Sequence, residues 1–217
     1  MAVRVLLNAF SVDARSKTFV LVTFAVPAND DTFDCHACSP TIGMAVFSQK
    51  ELKWTMVGFN RAVMFSGEWG RPPTDIQLVQ IGPNHDAVKL VDVGGGNGEP
   101  TAVLQILIPW NGSVNLGLER IIADDDKGMC GPGGLLACYA NRRTLHFIQN
   151  DKRDYYDVEL KLTGTDLPTS DAVDSKRARK VNGLEILKFE NGKYVQISRQ
   201  GDLTYIDDAV AKREELR

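Results

Sequence analysis

The sequence predicts an all-β protein, an antiparallel β-sandwich or a barrel-like body built from hairpins. Two observations predict this fold. Runs of β-branched and aromatic residues recur at strand length, and most neighbouring runs are separated by short segments rich in Asn, Asp and Gly. Helical periodicity is scarce, and we expect only a short charged helix at residues 207–217. Regular hairpins also fit a small β-propeller, which is the alternative architecture.

The first predicted strand covers residues 17–26, a β-branched and aromatic run that ends at Pro27. Residues 39–44 are expected to form a short helical turn. Two Asn-Gly turns are the strongest hairpin signals, because Asn and Gly tolerate the positive φ that tight hairpins need. In chain order the five predicted hairpins pair residues 44–47 with 52–59, 75–81 with 87–93, 102–109 with 113–118, 144–149 with 155–163, and 184–189 with 193–198.

The chain divides into three predicted parts around one polar segment. Residues 1–165 form the main β domain. Residues 166–183 form a charged, exposed loop, because the stretch lacks a hydrophobic pattern. Residues 184–217 form a C-terminal hairpin and short helix that pack on the same domain.

Size and charge exclude several classes of protein. The chain has 217 residues and is 43% hydrophobic and 24% charged, which is typical of a globular domain and not of a disordered chain. Its net charge of −3 gives no general attraction to nucleic acid or anionic lipid. The one basic cluster, residues 176–180, has no interleaved aromatic for base stacking, so we expect no nucleic-acid partner. No apolar run is long enough to predict a membrane span.

The four cysteines form two local pairs, Cys35 with Cys38 and Cys130 with Cys138. Paired cysteines at short spacing predict two structural disulfides and an oxidising compartment, periplasmic or secreted, with the leader absent from this chain. Free buried thiols and a zinc site built from all four cysteines are the alternatives. The N-terminus has no signal-peptide core, which leaves a cytoplasmic location as the second possibility.

The Cys35-His36-Ala37-Cys38 motif also suggests a second function, a thiol–disulfide oxidoreductase. Cys35 would be the nucleophile and Cys38 the resolving thiol. Against this, no long helical pattern follows Cys38, and the rest of the chain predicts hairpins. The acidic run at residues 124–126 lacks the spacing of a calcium loop and is interpreted as a solvated loop. We therefore predict no catalytic residue, no cofactor and no metal site.

One irregular segment carries the side chains that dominate binding interfaces. Phe65, Trp69 and Arg71 lie in a Gly- and Pro-rich stretch, and aromatic and Arg side chains are enriched at binding hot spots. Trp110, at the tip of the third predicted hairpin, is a further candidate. The simpler interpretation is that both tryptophans cover the end of the core. A carbohydrate- or lipid-binding sandwich would use the same aromatics.

Several short stretches resemble uncharacterised bacterial exported β-rich proteins. These are the CHAC motif, the following IGMAVF, the Gly-Glu-Trp-Gly and Val-Gln-Ile-Gly sequences, and the closing FENGKYV hairpin. The resemblance implies a cell-envelope location and a disulfide, and it transfers no catalytic residue. The sequence therefore predicts a non-catalytic binding protein of the bacterial cell envelope, acting on another protein as an inhibitor or immunity-type protein.

Overall fold

The computed structural model describes seven segments of the chain and one isolated residue. They are residues 2–12, 17–27, 35–95, 100–126, 130, 138–150, 152–168 and 177–207. Over these residues the protein is all-β, with 74% in strands and 2% in helix. The predicted fold class is confirmed.

Twelve strands form two antiparallel sheets in the described part of the chain. The strands are β1 (Ala2–Val12), β2 (Lys17–Val26), β3 (Thr41–Lys50), β4 (Lys53–Phe65), β5 (Asp75–Gly82), β6 (His85–Gly94), β7 (Thr101–Trp110), β8 (Ser113–Asp125), β9 (Ala140–Ile148), β10 (Asp157–Asp166), β11 (Arg179–Glu190) and β12 (Lys193–Gly201). Each sheet is a meander, β1 to β4 in the smaller one and β5 to β12 in the larger one. We call them the small sheet and the large sheet.

Two hydrophobic cores lie on opposite faces of β5–β8. The first core lies between these strands and the small sheet, and includes Val22, Met44 and Leu90. The second lies between β5–β8 and the later strands of the large sheet, and includes Ile106 and Leu160. Strands β5–β8 therefore form a middle layer, and the two sheets pack as a sandwich.

Strand β7 shows how the sequence encodes this middle layer. Its residues 104–108 are all buried, whereas β10 and β11 alternate between buried and more exposed positions. A strand covered on both faces has a continuous apolar run, and a strand covered on one face alternates. Gln105, the polar exception within the buried run, is hydrogen-bonded to Ser66 and Glu119.

All five predicted hairpins are present. They are the antiparallel pairs β3–β4, β5–β6, β7–β8, β9–β10 and β11–β12. The propeller alternative is wrong, since a propeller needs several four-stranded blades around a central channel. Of the two predicted architectures, the sandwich holds, and no closed barrel forms in the described part of the chain.

Two local expectations differ from the structure. Strand β1 was not expected, and it pairs with β2 from Ala2↔Val26 to Val12↔Lys17. The helical turn predicted at residues 39–44 is wrong, because β3 begins at Thr41. Within β3, a Cβ at Gly43 would lie 2.7 Å from the Arg61 carbonyl oxygen, so this glycine permits close packing against β4 and was not a helix breaker.

The C-terminal part packs against the large sheet. Strand β11 begins at Arg179, so its first residues fall within the range predicted as a loop, while residues 169–176 lie outside the described residues. A short helix begins at Tyr205 and is described as far as Asp207. The rest of the predicted helix, residues 208–217, also lies outside. No described helix has the length and apolar composition needed to cross a membrane.

Candidate functional site

The segment that follows β4 is anchored from below by a buried polar contact. Ser66 is buried, and its hydroxyl lies 2.7 Å from Gln105 Oε1 and 3.0 Å from Asp92 Oδ2. The backbone N–H of Gly67 donates to the same Asp92 oxygen at 2.6 Å. Asp92 is in β6 and Gln105 is in β7, so the start of the segment is fixed to the middle layer.

Residues 68–71 form a tight two-residue turn, which we call the Trp69 turn. Glu68 N–H donates to Arg71 O at 3.1 Å, and Arg71 N–H donates to Glu68 O at 2.8 Å. The two central residues both have positive φ, 54° at Trp69 and 67° at Gly70. A bulky residue rarely adopts this left-handed conformation, so Trp69 is held there by its surroundings.

The Cys35–Cys38 loop holds the Trp69 turn in place. The two cysteines form a disulfide. Trp69 N–H donates to the Cys35 carbonyl oxygen at 3.1 Å, and Gly70 N–H donates to the Cys38 carbonyl oxygen at 2.7 Å. Ser39 Oγ adds a third contact by donating to Gly67 O at 2.5 Å. Two motifs that are far apart in the sequence therefore form one structural unit.

His36 completes this unit from the side. Its Nε2 lies 3.2 Å from Glu68 Oε2 and 3.1 Å from the Gly95 carbonyl oxygen. Its ring meets the Trp69 indole edge-on, with ring centres 5.7 Å apart. An edge-on aromatic contact of this kind stabilises the indole in one orientation.

The side chains that leave this unit are the predicted binding residues. Phe65 is 71% exposed, Trp69 is 45% exposed, and Arg71 is also exposed. The following Pro73 is buried and restricts the backbone where the segment returns to the sheet. The structure thus brings Cys35, Cys38, Phe65, Trp69 and Arg71 to one surface.

Trp110 lies elsewhere. It ends β7, whereas the Trp69 turn lies beside Gly94, which pairs with Thr101 at the other end of that strand. Trp110 is half-buried and packs against Tyr155 and Phe189. It therefore covers the end of the second core, as the simpler interpretation of the tryptophans stated. Its role in partner binding stays a prediction about a different surface.

The second cysteine pair is also bridged. Cys130 and Cys138 form a disulfide, and Cys130 N–H donates to Asp126 O at 3.0 Å. The predicted disulfides are confirmed, and the alternatives of free thiols and of a four-cysteine zinc site are wrong. No group of three or more His, Cys, Asp or Glu side chains in the described residues is placed to hold a metal ion.

The acidic run beside Cys130 is not a solvated loop. Asp124 and Asp126 are buried, and Asp124 is still part of β8. Asp124 accepts hydrogen bonds from Thr101 and Tyr139, and Asp126 accepts one from the Tyr139 backbone. Burial of a carboxylate requires such donors, which the sequence pattern did not show.

A polar cleft that sequence reasoning missed opens between the two sheets. Its volume is about 520 Å³. The residues that line it are Thr18, Val20, Val46, Ser48, Val57, Gln80, Ile81, Pro83, Asn84, His85, Asp86, Pro109 and Tyr155. Such a volume accommodates a small ligand.

Stacked rings form one wall of the cleft. His85 stacks on Tyr155 with ring centres 4.1 Å apart, and Tyr155 stacks on Phe189 at 3.8 Å. Burial lowers the pKa of His85, although the nearby carboxylates of Asp154 and Asp86 act in the opposite direction. Burial also raises the pKa of Tyr155, so its hydroxyl is protonated at neutral pH. The wall therefore offers uncharged hydrogen-bonding groups.

Comparison with known proteins gives no relative for this chain: no family model, curated protein or solved structure matches it.

Proposed function

We propose that this chain is a non-catalytic binding protein of the bacterial cell envelope, and that it binds a protein partner through the Trp69 turn. One observation carries the proposal. Phe65, Trp69 and Arg71 are exposed on a backbone that is tied to the Cys35–Cys38 disulfide loop. Aromatic and Arg side chains on a fixed backbone are typical of binding hot spots.

The fixed backbone matters because ordering a loop on binding costs free energy. The Trp69 turn is already held by hydrogen bonds to Cys35 and Cys38 and by the contact with His36. A partner would therefore meet a preorganised surface, and less of the binding energy would be spent on ordering. The positive φ of Trp69 adds support, since strained residues persist where they serve a function outside the fold.

The location rests on the two disulfides. Such bonds persist in oxidising compartments and are rare in the cytosol. A periplasmic or secreted protein that inhibits or neutralises a partner protein fits both the compartment and the preorganised surface.

Affinity capture with paired variants tests the proposal. The tagged protein is incubated with an envelope extract of its native host, and the captured proteins are identified by mass spectrometry. The leading partner is then purified and its affinity measured. Trp69→Asn should weaken binding at least tenfold, because a central aromatic hot spot is worth about 2 kcal/mol or more. Asn accepts the left-handed conformation, so this variant should fold at least as well as the native protein.

The matched control is Ile197→Asn, a change at another exposed apolar residue, on β12. It should leave binding unchanged. Equal affinity of the native protein, Trp69→Asn and Arg71→Ala for the captured partner would remove the Trp69 turn as the binding surface.

A specific observation favours a second candidate function, carbohydrate binding in the cleft. The lining combines the ring of Tyr155 with hydroxyl and amide groups of Ser48, Gln80 and Asn84. Such groups both donate and accept hydrogen bonds, as the hydroxyls of a sugar require. A glycan array followed by calorimetry with Asn84→Ala tests this candidate. Binding that is lost in this variant and unaffected by Trp69→Asn would favour the sugar, and no glycan binding at all would remove it.

The oxidoreductase alternative has a separate test. A strand, β3, follows Cys38, so the helix N-terminus that lowers the thiol pKa in many such enzymes is not supplied by this segment. The insulin-reduction assay compares the native protein with Cys35→Ser. Activity in the native protein alone would support the redox function, and equal background rates would exclude it.

A further inference from the structure

The turn between β3 and β4 has a feature that its position in the fold does not explain. Four two-residue turns of the described chain have positive φ at both central residues, at positions 51–52, 69–70, 111–112 and 191–192. Three of them have glycine second, which adopts this conformation at no cost. The β3–β4 turn instead has Leu52, with a φ of 66°. We call this end of the hairpin, residues 50–54, the hairpin tip.

Leu52 gives the fold nothing in return for this strain. Its side chain is 92% exposed, so it buries almost no apolar surface. A left-handed residue other than Gly costs roughly 1–2 kcal/mol, and the Asn-Gly sequence of the other hairpins would avoid that cost. An exposed and strained leucine at the apex of a hairpin is placed to contact something outside the chain.

The outer face of the small sheet continues this apolar surface. Trp54, Met56 and Phe59 are exposed on β4. The β-ladder places Met56 opposite Phe47, and Phe47 opposite Phe19, all on the face turned away from the first core. Trp54 meets the ring of Phe19 edge-on at 6.5 Å. Indole side chains of this kind are enriched where an apolar region meets a polar one.

Positive charge surrounds the apolar surface. Lys50 and Lys53 face each other beside the turn, and Lys17 lies in the same cross-strand row as Trp54. The four strands of the small sheet and the β3–β4 turn together contain five cationic side chains and one carboxylate, Glu51, although the whole chain has a net charge of −3. These cations are Arg4, Lys17, Lys50, Lys53 and Arg61. Charge is therefore segregated onto the sheet that presents the apolar face.

We propose that the hairpin tip docks on an anionic lipid bilayer, with Leu52 and Trp54 entering the interface and the lysines meeting lipid phosphates. An apolar apex with amines on both sides matches the layered chemistry of a bilayer surface, where acyl chains lie just below anionic headgroups. Each lysine near an anionic surface contributes about 1 kcal/mol. The Trp69 turn follows the far end of β4, up to about 40 Å from the tip along a 13-residue strand, so both surfaces can be occupied together.

Vesicle co-sedimentation with the full chain tests the proposal. The protein is mixed with vesicles of equimolar phosphatidylglycerol and phosphatidylcholine, and with vesicles of phosphatidylcholine alone, at low and high salt. Binding should require phosphatidylglycerol and should fall at high salt, because screening weakens surface electrostatics. Leu52→Asn should weaken binding at least about tenfold, since it removes the apolar group that enters the interface. Asn suits the left-handed conformation, so a folding defect is not expected.

Two controls make the result specific. Lys50→Gln with Lys53→Gln should weaken binding about tenfold or more, whereas Lys188→Gln, at an exposed lysine of β11, should not change it. Ile197→Asn is the control for Leu52→Asn, as a loss of exposed apolar surface on the large sheet.

Three results would overturn the proposal. The first is no binding to phosphatidylglycerol vesicles. The second is equal binding by the native protein and Leu52→Asn, which would make the contact purely electrostatic. The third is a dimer in sedimentation velocity that Leu52→Asn dissociates, which would mean that a second copy of the chain covers this surface.

Discussion

The backbone N–H of Gly70 donates a 2.7 Å hydrogen bond to the carbonyl oxygen of Cys38. This contact joins a CxxC motif to an aromatic turn that neither sequence pattern relates to the other. The disulfide therefore serves as the support of the Trp69 turn, and its removal should change binding more than it changes stability.

The first prediction compares the two disulfides. Cys35→Ser with Cys38→Ser should lower the free energy of unfolding by about 2 kcal/mol, because the bond closes a very short loop. It should also weaken partner binding, because the Trp69 turn loses its support. The corresponding change at Cys130 and Cys138 closes a longer loop, so it should cost slightly more stability. Chemical denaturation gives the stabilities. An equal loss of binding in both double variants would contradict the supporting role of Cys35–Cys38.

The second prediction concerns the buried contact beneath the Trp69 turn. Ser66→Ala leaves Gln105 and Asp92 without the Ser66 hydroxyl, and the free energy of unfolding should fall by about 1–3 kcal/mol. Thr74→Ala, an exposed change nearby, should stay within about 0.5 kcal/mol of the native value. Urea denaturation of both variants checks this. A Ser66→Ala protein as stable as the control would show that the contact contributes nothing.

The third prediction concerns strain in the β3–β4 turn. Replacing Glu51-Leu52 by Asn-Gly should raise the free energy of unfolding by about 1–2 kcal/mol, because the new residues accept positive φ. Thermal and urea denaturation measure the gain. Lower stability in this variant would mean that Glu51 and Leu52 make stabilising contacts and that the turn is not strained.

The fourth prediction is a pH dependence of stability that arises from His85. Burial lowers its pKa in the folded state, so the folded protein favours the neutral ring. This contribution is fully present above the unfolded value of 6.5 and is lost as the pH falls below it toward the folded pKa. His85→Phe keeps a ring against Tyr155 and cannot be protonated. The melting temperature of the native protein should therefore fall more steeply than that of His85→Phe between neutral pH and pH 5. Parallel curves for the two proteins would contradict the assignment.

Most of the fold could be predicted because its signals are local. The Asn-Gly turns and the alternating runs define hairpins within a few residues, and a meander joins neighbours in sequence. Strand β1 could also have been found, since Val3, Val5 and Leu7 alternate with other residues in its first half. The helical turn at residues 39–44 was predicted without the β2–β3 pairing that makes Thr41–Lys50 a strand.

The candidate site was only partly predictable. Phe65, Trp69, Arg71 and the cysteines were identified by residue type, but their assembly depends on contacts between distant segments. The stacking of His85 on Tyr155 and the burial of Asp126 are likewise long-range. The strain at Leu52 could not be seen either, because Glu-Leu is not a sequence signal for a left-handed turn.

Site-specific photo-crosslinking in the native host tests the central claim most directly. A photoreactive phenylalanine derivative replaces Phe65, which is aromatic already and 71% exposed, and in a second protein it replaces Ile197 on the other sheet. The account predicts one discrete protein adduct at position 65 that disappears in a Trp69→Asn background, and no such adduct at position 197. Adducts at position 197 and none at position 65 would show that the binding surface is not the Trp69 turn.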